Sequence, residues 1–319
     1  MESTKPVARA LFDIEAGPEA IFHNLSMLSL SPRQARADAE PAYTTLDEAL
    51  ALGVIEITEI SDAGSVPELR VVNRGLKPTL ILDGEELIGA KQNRIVNLTI
   101  LVPAQSKLTI PVSCVEAGRW SARSRAFAAA PRTQYATGRA KRMEQVSNAL
   151  RDHGARNADQ ADIWEDIALK SERMNARSET GAMDAMFLDH AAFIEKAVDA
   201  FAPGETQTGA LFAVSGRLLG FDLFDRSSTL RRLLPKLIRA AAVDALDTAA
   251  PVPALKRRPT KKSTLVAEAD QFFAALSTAV AHRVPAIGQG EDVRLASAGL
   301  TAAALLDGDA VIHLSAFRL

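Results

Sequence analysis

The sequence predicts an α+β protein: an N-terminal antiparallel β-sandwich or barrel-like lobe, followed by a mainly helical α+β lobe with terminal antiparallel strands. Three observations carry this. Short β-rich segments follow one another between turn residues from 68 to 116. Apolar residues recur at helical spacing through residues 163–201 and 230–241. Strand character returns over 293–298, 300–305 and 310–317, around the turn Asp307-Gly308.

Taken in order, residues 20–30 are apolar, end in Ser31-Pro32 and read as a strand. Thr45-Leu46-Asp47-Glu48 has the form of a capping box, so a short helix begins there and Gly53 stops it. Residues 54–60 interleave β-branched and charged side chains, the pattern of a half-buried strand. Further strands are predicted over 69–73, 78–82, 87–90, 94–102 and 107–115, with Asp83-Gly84 and Pro103-Ala104 as turns. The two-residue period groups Val96, Leu98, Ile100 and Val102 on one face. It groups Leu108, Ile110, Val112 and Cys114 on another, and both faces should meet the core.

Residues 119–142 carry seven basic side chains and no acidic ones, with alanine-rich stretches and Pro131. They read as a linker or mobile loop rather than an element. The lobe boundary is placed here, giving 1–120 and 121–319, with one integrated domain as the alternative. Ile163, Trp164, Ile167, Ser171 and Met174 predict a helix, and Met183, Met186, Phe187, His190, Ile194, Ala197 and Phe201 another, stopped by Pro203-Gly204. Residues 209–214 and 218–223 form a hairpin, and a helix with Leu230, Leu233, Leu234, Leu237, Ile238 and Ala241 on one stripe follows. Pro235 should kink that helix or mark its true first turn. Residues 251–262, with Lys256-Arg257-Arg258 and Lys261-Lys262, read as an exposed connection to a helix ending near His282.

Composition narrows the function classes. Of the 319 residues 47% are apolar and 24% charged, which is globular composition, and the net charge of −2 disfavours nucleic acid as a partner. No apolar run reaches the length of about 18 residues that a membrane span needs, and residues 1–9 hold Glu2, Lys5 and Arg9 rather than a signal's apolar region. A cytoplasmic protein without a membrane partner is expected. The lone cysteine and five scattered histidines offer neither a disulfide nor a zinc spacing.

The densest polar cluster is Asp83-Gly84-Glu85-Glu86, followed by Lys91-Gln92-Asn93-Arg94 and Asn97, where neutral turn residues would have sufficed. Its cations suit phosphate, and its acids and amides suit hydroxyls; the plainer alternative is two hairpin turns with solvated tips. Ser113-Cys114-Val115-Glu116-Ala117-Gly118-Arg119-Trp120 is the second candidate. By strand parity Cys114 continues an apolar face and is read as core rather than nucleophile, there being no histidine near it in sequence. Glu116, Arg119 and Trp120 lie beyond that face. Trp120 could stack on a base or plug the lobe junction. Glu85, Glu86 and Glu116 are the candidate catalytic acids, as general bases on a ribosyl or phosphate-linked substrate. Lys91, Gln92, Asn93, Arg94, Asn97, Arg119, Trp120 and Asp222 are candidate ligand-binding residues. Asp222 enters because it interrupts the strand Phe221-Asp222-Leu223 without a capping role; the helix cap falls to Asp225 or Ser227. His190 reads as core, and His313 as a structural histidine or a base.

The block Leu82-Asp83-Gly84-Glu85-Glu86-Leu87-Ile88-Gly89-Ala90-Lys91-Gln92-Asn93-Arg94 and the continuation from Val112 to Trp120 resemble the ARG and rhodanese-phosphatase-superfamily-associated protein domain family. The likeness takes in Gly220-Phe221-Asp222-Leu223-Phe224 and His313-Leu314-Ser315-Ala316-Phe317, hence nearly the whole chain. The resemblance implies a role near NAD or ADP-ribose metabolism, with an ADP-ribosylglycohydrolase-type enzyme as a partner and no established catalytic set. ADP-ribose would offer phosphates to Lys91, Arg94 and Arg119, ribose hydroxyls to Glu85, Glu86 and Asn93, and an adenine face to Trp120. The expected ligand is a nucleotide-like small molecule, with catalysis, binding alone, and a scaffold role as the competing functions. Cofactor, metal use and oligomeric state are left open.

Overall fold

Alternating burial along the strands sorts the chain into two principal sheets. The computed structural model describes residues 5–34, 40–61, 64, 67–247 and 264–319. The chain opens with α1 (Lys5–Phe12), β1 (Ile14–Phe22) and β2 (Leu25–Pro32). The one strand expected over 20–30 is thus a turn and parts of two strands. His23 makes the turn at a φ of +54°, without the glycine or proline that would have marked it.

The first sheet system follows: β3 (Thr44–Thr45), α2 (Leu46–Ala51), β4 (Ile55–Glu59), β5 (Glu68–Asn73), β6 (Thr79–Ile81), β7 (Glu85–Gly89), β8 (Arg94–Val96), β9 (Ile100–Val102), β10 (Ser106–Cys114) and β11 (Phe127–Thr133). The capping box at the start of α2 is formed: the Thr45 side chain accepts from the Glu48 amide and the Glu48 carboxylate from the Thr45 amide. Six strands pair antiparallel in the order β11-β7-β8-β10-β5-β4. A bridge from Thr58 on β4 to Ala126 at the start of β11 joins the sheet's two edges, curling it into a barrel-like form. A smaller sheet, β3-β6-β9, has β3 parallel to β6. Val96, Leu98, Ile100, Val102, Ile110 and Val112 share one core with Ile57, Val71, Leu87 and Leu46 of α2. The two faces read from strand parity therefore do meet the interior.

The remainder comprises α3 (Ala136–His153), α4 (Gln160–Arg173), α5 (Asp184–Asp189), α6 (Ala191–Ala200), β12 (Gly209–Val214), β13 (Arg217–Phe224), α7 (Ser227–Asp247), α8 (Thr264–Ser277), β14 (Val280–Pro285), β15 (Glu291–Ser297), β16 (Leu300–Asp307) and β17 (Ala310–Arg318). An eight-stranded antiparallel sheet runs β1-β2-β12-β13-β17-β16-β15-β14. Its neighbours Met27 and Leu28 belong to opposite cores, as the pleat requires. The Met27 side packs against α4 to α7, and the Leu28 side against α1 and α8. The fold is α+β. Pairings cross residue 120 in both directions, β2 with β12 and β11 with β7.

Five sequence expectations need correction. Residues 119–142 are not a loop: they hold β11 and most of the first half of α3, because Arg132, Arg139 and Arg142 are buried against acids. The strand expected over 94–102 breaks at residues 97–99 into β8 and β9, and the helix over 183–201 breaks at His190. The helix expected to end near His282 stops at Ser277, where β14 pairs with β15. Pro235 lies inside α7, which starts at Ser227, so it does not mark the first turn. Residues 251–262 lie outside the described residues.

Candidate functional site

The acids of Asp83-Gly84-Glu85-Glu86 are all buried, and each meets a cation supplied by a later part of the chain. Glu85 pairs with Lys236 of α7, which also holds Asp47 at 2.7 Å, and accepts from the Leu82 amide at 3.0 Å. Glu86 accepts from Arg132 of β11 at 2.5 Å; burial pushes its carboxyl up, and the Arg132 charge offsets only part of that. Asp83 accepts from Arg139 Nε at 3.2 Å and from Arg142 Nη2 at 2.7 Å, both on α3. Gly84 is required by this packing. Its φ is +77°, and a Cβ there would stand 3.0 Å from Arg139 Cγ and Cδ.

Arg139 carries the network onward. It donates from Nη1 and Nη2 to the two carboxylate oxygens of Asp222 at 3.0 and 2.7 Å. His313 Nε2 lies 3.0 Å from Asp222 Oδ1, and His313 Nδ1 lies 2.8 Å from Thr99 Oγ1. Thr99 Oγ1 also accepts from the Asp83 amide at 3.1 Å, which closes the circuit. The imidazole stacks on Phe224 at 4.7 Å between centroids, fixing its plane. Burial alone would raise the Asp222 pKa, but the Arg139 charge and the hydrogen bonds from His313 and Arg139 hold it well below the usual carboxylate range.

That depression has a measurable sign. A carboxyl whose pKa is lower folded than unfolded adds stability above the unfolded value, about 3.9, and the contribution is lost as pH falls through the folded value. Urea denaturation between pH 7 and pH 2 should therefore show stability falling more steeply below about pH 4 in the wild type than in Asp222→Asn. The slopes should differ by up to about 1.4 kcal/mol per pH unit, one proton's worth. Parallel curves would mean that Asp222 is not so held.

The second cluster brings together most of the sequence-predicted binding residues. Glu116 accepts from Arg119 Nη2 at 2.6 Å, the Asn93 amide at 3.1 Å and the Thr180 hydroxyl at 2.9 Å. Burial raises its pKa, and the hydrogen bonds from Arg119, Thr180 and the Asn93 backbone outweigh that and leave it lowered. Arg119 also donates to the carbonyls of Ala90 and Ser121 at 2.7 and 2.9 Å. Gln92 links this cluster to Arg94, donating to the Glu116 carbonyl at 2.9 Å and accepting from Arg94 Nη1 at 3.0 Å. Lys91 Nζ and the Arg94 guanidinium carbon stand 5.4 and 5.7 Å from the Trp120 ring, which is 48% exposed. Arg94 itself is fully buried, its Nε and Nη2 have no hydrogen-bond acceptor among the described residues, and Glu59 is 3.9 Å away.

Other predicted residues stand apart. Asn97 accepts from the Ser113 hydroxyl at 2.8 Å and donates to the Arg156 carbonyl at 3.2 Å, bracing the break between β8 and β9. Cys114 is buried, and burial pushes its thiol up to about 11 against the lowering effect of Arg94, which leaves little thiolate at neutral pH. A separate cleft of about 380 Å3 is rimmed by Arg9, Asp13, Asp225 and Arg226 and touches none of the predicted candidates. Sequence reasoning missed Thr99, Arg132, Arg139, Arg142 and Lys236. The available signal was complementarity: an acid cluster at 83–86 and an acid-free basic run at 119–142.

The fold and these sites define an α+β protein organised around buried ion pairs at its Asp-Gly-Glu-Glu turn. The chain belongs to the ARG and Rhodanese-Phosphatase-superfamily-associated Protein domain family, whose model matches residues 13–317. The family's name records an association with ARG and rhodanese-phosphatase-superfamily proteins. No curated protein and no solved structure matches the chain at a significant level. Among the described residues no helix is long and apolar enough to cross a membrane, and no group of three metal-ligating side chains is placed to hold an ion.

Proposed function

We propose that this protein binds a nucleotide-like ligand of the NAD or ADP-ribose type at the Trp120 face. One observation supports this above the others: Arg94 is a buried guanidinium with two nitrogens that lack an acceptor among the described residues, beside a half-exposed indole. A buried, underused cation gains most from an anionic oxygen, and an exposed indole from a planar base. Lys91 adds a second positive charge over the same ring. Arg119, held rigidly by Glu116 and three backbone carbonyls, shapes the floor of the cluster instead of offering its charge outward. Glu116 adjoins this face through Gln92, so of the three predicted acids it is the one a bound ribosyl group would meet. Glu85 and Glu86 serve in this reading to lock β7 to α7 and β11.

Titration calorimetry with ADP-ribose, NAD, adenosine and pyrophosphate, together with Trp120 fluorescence, tests the proposal. ADP-ribose should bind and quench the indole, and Arg94→Ala should weaken it about 10- to 100-fold, the worth of one charge-assisted hydrogen bond. Trp120→Ala, a change at a half-exposed side chain, should weaken binding without lowering the melting temperature. Heat without turnover would make the protein a sensor or carrier, with an ADP-ribosylglycohydrolase-type enzyme as the partner to test. No heat from any of the four ligands overturns the reading and leaves the scaffold role.

A further inference from the structure

The Thr99–His313–Asp222 chain has the connectivity of a nucleophile, its base and the group that orients the base. Asp222 is an ionised acceptor, engaged on both oxygens by Arg139, so the hydrogen between it and His313 resides on Nε2. In the neutral imidazole Nδ1 is then a lone pair, and the Thr99 hydroxyl must donate to it across their 2.8 Å contact. The Asp83 amide occupies one oxygen lone pair at 3.1 Å, and the other has no donor among the described residues. Thr99 sits where the β-rich pattern of 94–102 is broken, in the bend between β8 and β9, and it is only partly buried. It lines a small cavity with Leu98, Ala304, Asp83, Asp292 and Arg294.

We infer that Thr99 is a nucleophile for acyl transfer from short, uncharged carboxylic esters, with His313 as its general base and Asp222 as the positioning residue. The lining selects this class. Its acids are matched by cations, Asp83 by Arg139 and Arg142 and Asp292 by Arg294, and its leucine and alanine walls accept a short uncharged acyl chain. The cavity's volume of about 10 Å3 is on the order of one water, so only the smallest acyl group can press into it and the rest of the ester must lie outside. Arg294 is buried and paired with Asp292, its Nε 2.7 Å from Oδ1 and its Nη2 donating to Oδ2 at 2.9 Å, so this ion pair presents no net charge to the substrate.

In the step itself the second Oγ1 lone pair bonds to the ester carbonyl carbon, and the carbonyl π pair moves onto oxygen. The hydroxyl proton passes to His313 Nδ1. Collapse of the oxyanion breaks the bond to the leaving alkoxide, which takes that proton and departs as an alcohol, leaving acyl-threonine. Water then attacks with the same base and returns the carboxylic acid and free Thr99. Ester and water go in, acid and alcohol come out, with no oxidant or metal required.

The test is hydrolysis of p-nitrophenyl acetate, butyrate and octanoate by the full chain, with peptide mapping of the acetylated protein. Acetate should turn over with saturation and faster than octanoate, and an acetyl group should be trapped on Thr99. Thr99→Val, which keeps the shape and loses the hydroxyl, should reduce the rate at least about 100-fold, whereas Thr99→Ser should retain it. Hydrolysis should be lost in His313→Gln. A folded Thr99→Val protein that hydrolyses at the wild-type rate overturns the inference. So does an acetylated wild type with its label elsewhere, a result that needs no variant to fold. This site is separate from the Trp120 face, so ester turnover and ADP-ribose binding fail independently.

Discussion

Arg139→Met is expected to lower the stability of the protein by about 3–5 kcal/mol, read as a fall in the urea midpoint at an unchanged m-value. The reason is what remains behind. Asp83 and Asp222 are both buried, and Arg139 supplies one of the two guanidinium partners of the first and the bidentate partner of the second. Without it two carboxylates share an interior with only Arg142 and His313 as counterparts. Each then pays the desolvation cost of a charge that is no longer matched. The companion variant Arg139→Met with Asp222→Asn should recover part of the loss, because the unmatched charge is removed along with its partner, and the double-mutant cycle measures how much. A single-variant loss below about 1 kcal/mol would place this network among surface-like pairs, against its burial.

Glu116→Ala carries the second large effect, again about 3–5 kcal/mol. The carboxylate satisfies Arg119, the Asn93 amide and the Thr180 hydroxyl together, so its removal leaves the Asn93 amide without this acceptor and the buried Arg119 charge without its carboxylate. Arg119→Met should lose a similar amount, and the two losses should be strongly non-additive, since each variant breaks the same pair. Thermal unfolding of the four proteins decides it. If Glu116→Ala keeps its melting temperature and loses only turnover of a bound ligand, the acid belongs to the catalytic machinery rather than to the scaffold around Arg94.

How much was legible beforehand depends on whether the deciding partner was local. The capping box of α2 was legible because both of its hydrogen bonds fall within Thr45 and Glu48. The hairpin of β12 and β13 and the terminal strands were legible because turn chemistry and periodicity are also local. The segment 119–142 was not. Seven basic side chains without an acid look solvated in sequence, and the burial of four of them, Arg119, Arg132, Arg139 and Arg142, depends on Asp83, Glu86, Glu116 and Asp222. The candidate site shows the same division. Arg94 and Trp120 come together because one strand end and one exit loop place them there, whereas Thr99 hid inside a β-branched run whose interruption at residues 97–99 depends on Ser113 and Arg156.

The pairing of β2 with β12 governs how the chain can be made. Leu28 leaves the ribosome long before Leu211, its partner across the strands, and β13 must in turn wait for β17 at the end of the chain. Until then the β1–β2 hairpin presents an unpaired edge and an apolar face with nothing to cover it. Nascent chains are therefore expected to need shielding through most of synthesis, and refolding to be slow and concentration-sensitive because the sheet closes only over distant contacts.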